Sequence, residues 1–167
     1  MNKKIQRNYL EINSITDLKD SKYSPEGYVV QLVQPSDFQL NRFFYKNIGK
    51  KHNWVDRLSW SEEKWINYVS SKNVNSYVFK HKDDLVGFFE LIFHPENSET
   101  EIAYFGILEE YQNKKLGSFL LSEAIKKSFV NNTKRVWVHT CSLDHKNALS
   151  NYISRGMKIF KTEILNI

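Results

Sequence analysis

The stretch EIAYFGILEEYQNKKLGSFLLSEAIKKS, residues 101–128, decides the fold of this chain. Its first part, residues 102–108, is apolar and rich in aromatic side chains, which is typical of a buried strand. A polar turn over residues 109–115 follows, and from residue 116 onward apolar side chains recur at helical spacing. The sequence therefore predicts a strand that turns directly into the N-terminus of a helix.

A turn of this kind between a strand and a helix is suited to binding an anion. The first N–H groups of a helix have no partner inside it, and the helix dipole favours negative charge there. Gly117 allows a ligand to approach the backbone, and Lys114 and Lys115 add positive charge. Ser122 is expected to face solvent. The buried stripe of the helix is predicted to consist of Leu116, Leu120, Leu121, Ala124, Ile125 and Phe129.

The segment QNKKLGS, residues 112–118, resembles the pyrophosphate-binding motif Arg/Gln-x-x-Gly-x-Gly/Ala of the GNAT superfamily of acetyl-CoA-dependent N-acetyltransferases. One position departs from the motif, because Lys115 replaces its first glycine. The resemblance implies that the diphosphate of acetyl-CoA (coenzyme A) is held by Gln112, Asn113, Lys114, Lys115, Leu116, Gly117 and Ser118.

A second motif lies near the end of the chain. The pattern Ala148-x-x-x-Tyr152-x-x-x-Gly156-Met157 resembles the closing segment of the same family, in which a tyrosine stands four positions before a Gly-Phe pair. Many members carry an asparagine where this chain has His145, and Asn147 is taken as the corresponding cofactor residue. The resemblance covers residues 84–164, about half of the chain, and is strongest to bacterial members of unassigned substrate.

Length and composition restrict the class of protein. The chain has 167 residues with 41% hydrophobic and 14% aromatic content, which predicts a single domain over residues 1–167. No apolar run approaches the ~20 residues of a membrane helix, and the N-terminus lacks the core of a signal peptide. Because Cys141 is the only cysteine, no disulfide within the chain and no metal site is predicted. We expect a cytoplasmic protein without a membrane partner.

The net charge of +5 raises the question of nucleic acid as a partner. The lysines are scattered along the chain, and no nucleic-acid-binding motif is recognisable. A cofactor with several phosphates would balance the same charge. Nucleic-acid binding is therefore kept as an alternative but is not the favoured reading of the charge.

The remaining elements follow from periodicity and capping patterns. Strands are predicted over residues 5–12, at a sheet edge, and 27–33. A first helix is predicted with Ser36 as its N-cap, and a second from Ser61 with Trp65, Ile66 and Val69 facing inward. The order then continues as three antiparallel strands, the helix after residue 115, a strand, a helix over residues 144–155 and a final strand.

This order of elements is the one that the GNAT fold uses. The expected fold class is α/β (α+β), with a central mixed, mostly antiparallel twisted sheet of six to seven strands flanked by about four helices. The periodicity that yields this order is independent of the two motifs, and both support the same architecture.

Acetyl transfer to an amine needs a base for the amine, a hydrogen-bond donor for the thioester oxygen and an acid for the departing thiolate. In the family, a backbone amide of the central strand is the donor, and Ile107 and Leu108 occupy the matching positions. Glu101 is the first candidate base, since several members place a glutamate there. Glu90 is the rival, because it interrupts an apolar strand and would lie near Glu101. His139 is a third candidate.

The acid candidate is Tyr152, by its match to the tyrosine that the family places beside the cofactor sulfur. A phenol with a pKa of about 10 can protonate a leaving thiolate. Cys141 could form a nucleophilic pair with His139, but residues two apart on a strand lie some 6–7 Å apart, too far to share a hydrogen bond. A cysteine nucleophile is therefore not favoured.

The resemblance implies direct transfer of acetyl from acetyl-CoA to a primary amine of a small molecule or peptide, in a ternary complex. Tyr45, Trp54 and Trp60 lie in the region that covers the acceptor site in this family, so they are candidate substrate-binding residues. A homodimer is left open. Lys115 in place of glycine motivates one alternative, a module with the same fold that binds acyl-CoA without turnover.

Overall fold

The computed structural model describes residues 2–167, and within them seven strands and four α-helices follow one another in the predicted order. The first half of the chain forms β1 (Lys4–Ile12), β2 (Tyr28–Leu32), α1 (Phe38–Gly49), α2 (Glu62–Val69), β3 (Val74–His81) and β4 (Asp84–His94). The second half forms β5 (Glu99–Ile107), α3 (Leu116–Ser128), β6 (Arg135–Cys141), α4 (Ala148–Ser154) and β7 (Lys158–Asn166).

The seven strands form one sheet in the order β2-β3-β4-β5-β6-β1-β7. Every neighbouring pair is antiparallel except β5 and β6, which run parallel. The expected mixed, mostly antiparallel sheet is confirmed. The prediction that β1 lies at an edge is wrong, because β1 pairs with β6 on one side and β7 on the other. Both partners come from the far end of the chain, which local sequence patterns do not reveal.

The parallel pair β5–β6 is the feature that positions the site. Its pairing covers only residues 99–101 of β5 and 135–137 of β6. Beyond that point β5 continues to Ile107 and β6 to Cys141 without pairing to each other. The two strands therefore leave a gap in the middle of the sheet, and α3 begins beside it.

Helices cover both faces of the sheet. On one face, α3 packs its predicted stripe against β4, β5 and β6, and Leu120, Leu121 and Ile125 are each 0% exposed. On the other face, α1 packs Phe44 and Ile48 against strands β3 and β4. The ring of Phe44 stacks on Phe88 with centroids 4.9 Å apart. The apolar stripe of α3 predicted from spacing is thus confirmed.

Three local predictions are wrong. The N-cap of α1 is Asp37, one residue after Ser36, and its carboxylate accepts from Gln39 N at 3.0 Å. Ile66 on α2 is 45% exposed, although that helix begins close to Ser61 as predicted. Ser122 is 0% exposed, because a loop from the β1–β2 connection covers α3 at that point.

Helix α4 is shorter than predicted. The residues before Ala148 form a turn in which the Asp144 carboxylate accepts hydrogen bonds from Thr140 Oγ1 at 2.5 Å and from Cys141 N at 2.9 Å. Asp144 is therefore committed to the turn and does not cap or extend the helix. The β6–α4 turn lies at the open end of the gap between β5 and β6.

Candidate active site between β5 and β6

A cleft of about 1060 Å³ opens at the gap between β5 and β6. Its walls come from both strands, the start of α3, helix α4, the β1–β2 connection and the loop between α1 and α2. This volume is at the upper end of the range for pockets that hold small molecules and cofactors. The cleft is large enough for a long, extended ligand and a second, smaller one.

Backbone amides of β5 point into the gap. Leu108 N donates to Val86 O at 2.8 Å, and Ile107 stands directly opposite Gly87. This pattern makes Ile107 and Gly87 a non-hydrogen-bonded pair, so the N–H and C=O of Ile107 point away from β4. The amide of Leu108 is thus already bonded, whereas that of Ile107 faces the cleft.

The same alternation applies two residues earlier on β5. Phe105 stands opposite Phe89 in continuous register with the Ile107 pair, so the Phe105 N–H also faces the gap. The C=O of Ile107 accepts from Gln112 Nε2 at 3.1 Å, which fixes the Gln112 side chain against the strand. Of the two amides predicted from sequence, only Ile107 is available, and Phe105 is an additional candidate.

The loop before α3 presents a row of backbone amides. Asn113 and Lys115 both have φ of 62°, in the left-handed region, and Lys115 is the N-cap of α3. In the described part of the chain, the amides of residues 113–115 donate no hydrogen bond to a loop or side chain. The first-turn amides of residues 116–118 lack partners inside the helix. The left-handed conformation at Lys115 explains why the family motif has glycine there.

Gly117 leaves space at the cleft wall. A Cβ built on it would lie 3.7 Å from Asn151 Nδ2 and 4.0 Å from Ile107 Cδ1, which are ordinary contacts. The packing of the chain itself therefore does not require glycine here. Asn151 Nδ2 donates to Gly117 O at 3.1 Å and holds α4 against the first turn of α3.

The structure places most predicted cofactor residues at the cleft. Leu108 and Lys114 do not line it, and the Lys114 ammonium lies 5.4 Å from the ring centre of Tyr111. Leu116 is 2% exposed, so it can contribute only through its backbone. The predicted residues that line the cleft are Ile107, Gln112, Asn113, Lys115, Leu116, Gly117, Ser118 and Asn147.

The β1–β2 connection forms a cleft wall that sequence reasoning missed. Ser21 Oγ lies 3.0 Å from Ser118 Oγ, and Ser21 N donates to Ser122 Oγ at 2.8 Å. These contacts bring Lys19 and Lys22 to the edge of the cleft beside the start of α3. Residues about a hundred positions apart meet here, and no motif in the connection marks it.

Tyr152 lines the cleft from α4 and is 7% exposed. Its ring centre lies 6.4 Å from that of Phe105 on β5. Burial raises the pKa of the Tyr152 hydroxyl, and the nearby charge of Asp144 raises it further. The phenol is therefore protonated at neutral pH and is able to donate a hydrogen bond.

His139 lines the cleft from β6, and its ring centre lies 5.6 Å from that of Tyr9. Desolvation of the ring by the surrounding protein lowers the pKa of His139, and Arg7 lowers it further. Three carboxylates act in the opposite direction: Glu101, Asp144 and Asp56. Since the lowering wins, the imidazole is neutral at pH 7 and can accept a proton.

Glu101 sits at the closed end of the gap, at the last position where β5 pairs with β6. Its side chain is 18% exposed, and Oε1 lies 3.1 Å from His94 Nε2. It does not line the cleft, but its charge acts on His139. Glu101 can therefore exchange a proton with an amine in the cleft only through an intervening group.

Glu90 belongs to a different environment. It is 0% exposed and pairs with Arg57 at 2.9 Å. Asn41 Nδ2 donates to its other oxygen at 2.8 Å, and the Tyr68 hydroxyl donates at 3.0 Å. Glu90 and Glu101 thus belong to separate networks, and the expected shared carboxylate site is absent because Arg57 neutralises Glu90.

Arg57 occupies an aromatic box beneath α1 and α2. Its guanidinium carbon lies between 4.2 and 5.7 Å from the centres of five rings, those of Tyr45, Trp60, Trp65, Tyr68 and Tyr104. Of the predicted acceptor residues, Tyr45 is buried and Trp60 is half-buried, and neither lines the cleft. Trp54 does line the cleft. Sequence reasoning missed the box, since Arg57 carries no motif.

The family profile of the acetyltransferase (GNAT) family matches residues 37–157. The chain therefore belongs to this family. No curated protein sequence matches the chain significantly. Within residues 2–167, no helix is both long enough and apolar enough to cross a membrane.

Solved structures with the same fold share little sequence with this chain. A GCN5-related N-acetyltransferase from Sphaerobacter thermophilus matches with a TM-score of 0.70 at 15% identity, over 99% of this chain and 52% of its own. A spermidine N-acetyltransferase from Vibrio cholerae, described as dodecameric, matches with a TM-score of 0.60 at 18% identity, over 79% and 80%.

An aminoglycoside acetyltransferase from an uncultured soil metagenomic sample matches with a TM-score of 0.62 at 13% identity, over 77% of this chain and 87% of its own. The chain spans about half the length of the Sphaerobacter protein and of a related Kribbella flavida acetyltransferase. At these identities the likeness establishes the fold and leaves the acceptor open.

Proposed function

We propose that this protein is an N-acetyltransferase that moves the acetyl group of acetyl-CoA to a primary amine by direct transfer in a ternary complex. One observation carries the proposal: the gap between β5 and β6 opens beside the amide-rich start of α3. A ligand bound at these amides can extend into the sheet, where two amides of β5 face it. Membership of the acetyltransferase family supports the same reaction.

The residues present fit a diphosphate. The amides of residues 113–118 and the positive end of α3 would hold its oxygens, as helix N-termini do in other phosphate sites. Gly117 leaves the backbone accessible, and Lys115 adds charge. Lys19 and Lys22 on the β1–β2 connection would meet further phosphate oxygens.

Acetyl-CoA supplies an activated thioester, and the chain would supply the groups around it. The N–H of Phe105 or Ile107 would donate to the carbonyl oxygen as that oxygen gains negative charge. His139, neutral at pH 7, would take the proton from the amine. The protonated hydroxyl of Tyr152 would donate a hydrogen bond to the departing sulfur and stabilise its negative charge.

His139 and Glu101 are the two candidates for the base, and the geometry favours His139. His139 lines the cleft, whereas Glu101 lies behind it and would need a water or His139 itself as a relay. We therefore assign the proton acceptor to His139 and an electrostatic role to Glu101. Glu90 has no part in this proposal because Arg57 neutralises it.

The test is release of free CoA thiol from acetyl-CoA with a panel of primary amines. The proposal expects thiol release that depends on the amine and yields an N-acetylated product detectable by mass spectrometry. A module without turnover is the alternative that Lys115, at the position of a motif glycine, still favours. It would bind acetyl-CoA and release no thiol with any amine, and that outcome would replace the enzyme with the module.

A further inference from the structure

In the described part of the chain, two arginines form no ion pair with a carboxylate, and both line the cleft. The three paired arginines are Arg42 with Glu62, Arg57 with Glu90, and Arg135 with Glu11 and Glu99. Within the described residues 2–167, Arg7 and Arg155 form no salt bridge, and the Nε atom of each is buried without a hydrogen-bond partner. Both are part of the cleft wall.

Arg7 lies in the part of the cleft that holds the proposed base. It stands opposite Cys141 on β6, two residues beyond His139, and its charge acts on the His139 ring. The carboxylates around Arg7 are engaged elsewhere. Glu163, its neighbour on β7, bonds to Tyr9 and to Lys161, so Arg7 remains able to bind an anion from outside the chain.

Asp56 provides the opposite charge on the other wall. It lies on the α1–α2 loop, lines the cleft, and is exposed. In the part of the chain that the structure describes, its carboxylate makes no hydrogen bond or ion pair, and its charge also acts on His139. The cleft wall thus carries a carboxylate and a guanidinium that both act electrostatically on the same imidazole.

We propose that the acceptor carries a carboxylate as well as the reacting amine, as a free amino acid or a small peptide does. Arg7 binds the carboxylate, Asp56 attracts the ammonium group, and His139 lines the same cleft. The inference rests on the proposed function, because it names the acceptor class of that site. An arginine suits this task, since its planar guanidinium matches a carboxylate with two parallel hydrogen bonds.

Arg155 offers a matched control. It follows α4, and its carbonyl accepts from Lys19 N at 2.9 Å, which places it beside the β1–β2 connection and the start of α3. Arg155 therefore lies on the cofactor side of the cleft. Arg155→Gln removes the same kind of unpaired charge from the same cleft, and it should weaken acetyl-CoA binding without changing the choice of acceptor.

The test compares each amino acid with its decarboxylated amine: lysine with 1,5-diaminopentane, and phenylalanine with 2-phenylethylamine. Spermidine and an aminoglycoside are added as polycationic acceptors. In the wild type, kcat/KM should be at least about tenfold higher for the acceptor with the carboxylate. Assayed at a pH above the acidic limb, where His139 is neutral in both proteins, Arg7→Gln should lower kcat/KM for the amino acid by about ten- to a hundredfold through KM. It should lower kcat/KM for the decarboxylated amine by a much smaller factor.

Equal or better use of the decarboxylated amines or of spermidine by the wild type would overturn the proposal. So would an Arg7→Gln variant that loses the same factor on both members of each pair, or one that loses acetyl-CoA affinity instead. Melting curves of Arg7→Gln and Arg155→Gln check that both fold. Arg7→Lys should recover part of the carboxylate preference.

A binding titration separates this inference from the proposed function. Calorimetry with the CoA-saturated protein should show tighter binding of the amino acid than of its decarboxylated amine, and Arg7→Gln should abolish the difference. If no thiol is released but this preference is present, the enzyme proposal fails and the anion site stands. If thiol is released but the amino acid is not preferred over its decarboxylated amine, the enzyme proposal stands and the proposed carboxylate site fails.

Discussion

Arg57 and Arg7 are the same residue type in two opposite settings. Arg57 lies under α1 and α2, where a carboxylate, a phenol and five aromatic rings surround it. Arg7 lies in the cleft, where the carboxylates near it are bonded to other groups. The surroundings of an arginine, more than its residue type, therefore decide whether its charge stabilises the fold or remains able to bind a ligand.

The physical reason is the cost of desolvation. A buried charge loses its hydration and must be compensated by a partner in the chain, so Arg57 and Glu90 depend on each other. A charge at the wall of a water-filled cleft keeps part of its hydration and can exchange it for a ligand. Substitutions in the first region should therefore change stability, and those in the second should change binding and rate.

The largest effect is expected at His139. His139→Gln removes the proposed proton acceptor, and kcat/KM should fall by about a hundred- to ten-thousandfold, while stability changes little. Steady-state thiol release and a thermal melt measure the two effects. If Glu101→Gln shows the larger loss and His139→Gln less than about threefold, the base is Glu101.

The pH profile sharpens the same assignment. Because desolvation and Arg7 both disfavour the charged imidazole, the pKa of His139 is lowered from 6.5, so the acidic limb of kcat/KM should lie below pH 6.5. Arg7→Gln removes one of the lowering influences and should move this limb toward higher pH. The charged groups that act on the His139 ring are Arg7, Glu101, Asp144 and Asp56.

The second largest effect is expected at the buried Arg57–Glu90 pair, on the free energy of unfolding. Glu90→Gln leaves the Arg57 charge uncompensated in the interior and should cost about 3–5 kcal/mol of unfolding free energy. Urea unfolding measures it, and the double variant with Arg57→Met should recover part of the loss. Turnover of the molecules that remain folded should persist. A loss below about 1 kcal/mol would contradict the contrast between the two arginines.

Gly117→Ala is expected to have a smaller effect, which should be limited to binding of acetyl-CoA in the cleft. The chain has room for a Cβ at this position, so Gly117→Ala should leave the melting temperature unchanged or slightly higher. The added methyl would occupy space that a bound diphosphate needs, and the Kd for acetyl-CoA should rise about tenfold. Unchanged affinity would show that the ligand does not approach the backbone at Gly117.

The smallest effect is expected at Lys115, whose left-handed φ of 62° disfavours a side chain. Lys115→Gly should stabilise the protein by about 0.5–1 kcal/mol, measured by urea unfolding. Lys115→Ala is the control, since it removes the charge and keeps the strain. If Lys115→Gly is less stable than the wild type, the loop conformation depends on lysine contacts beyond the backbone.

Local sequence patterns were sufficient for the order of elements and for the start of α3. The stripe of Leu120, Leu121 and Ile125 follows from helical spacing, as does a helix that begins near Ser61, and the structure confirms both. These features depend on residues a few positions apart. The turn before Leu116, where we propose that the diphosphate binds, can be located from sequence for the same reason.

The rest of the site could not be predicted because it depends on contacts between distant residues. Arg7 meets Cys141 across β1 and β6, and Ser21 meets Ser118. Arg57 and Glu90 lie 33 positions apart, and their contact depends on the packing of α1 and α2 against the sheet. Nothing in the local sequence distinguishes a glutamate that an arginine neutralises from one that faces a ligand, so the sequence alone makes Glu90 a candidate base.

The most direct test of the central claim is a thermal melt with and without acetyl-CoA. If acetyl-CoA binds with its diphosphate at the amides of residues 113–118, as proposed, binding should stabilise the folded state by about 2.7 kcal/mol at a hundredfold excess over Kd. For a chain of this length the melting temperature should rise by roughly 5–10 °C. No rise at millimolar acetyl-CoA would contradict the account.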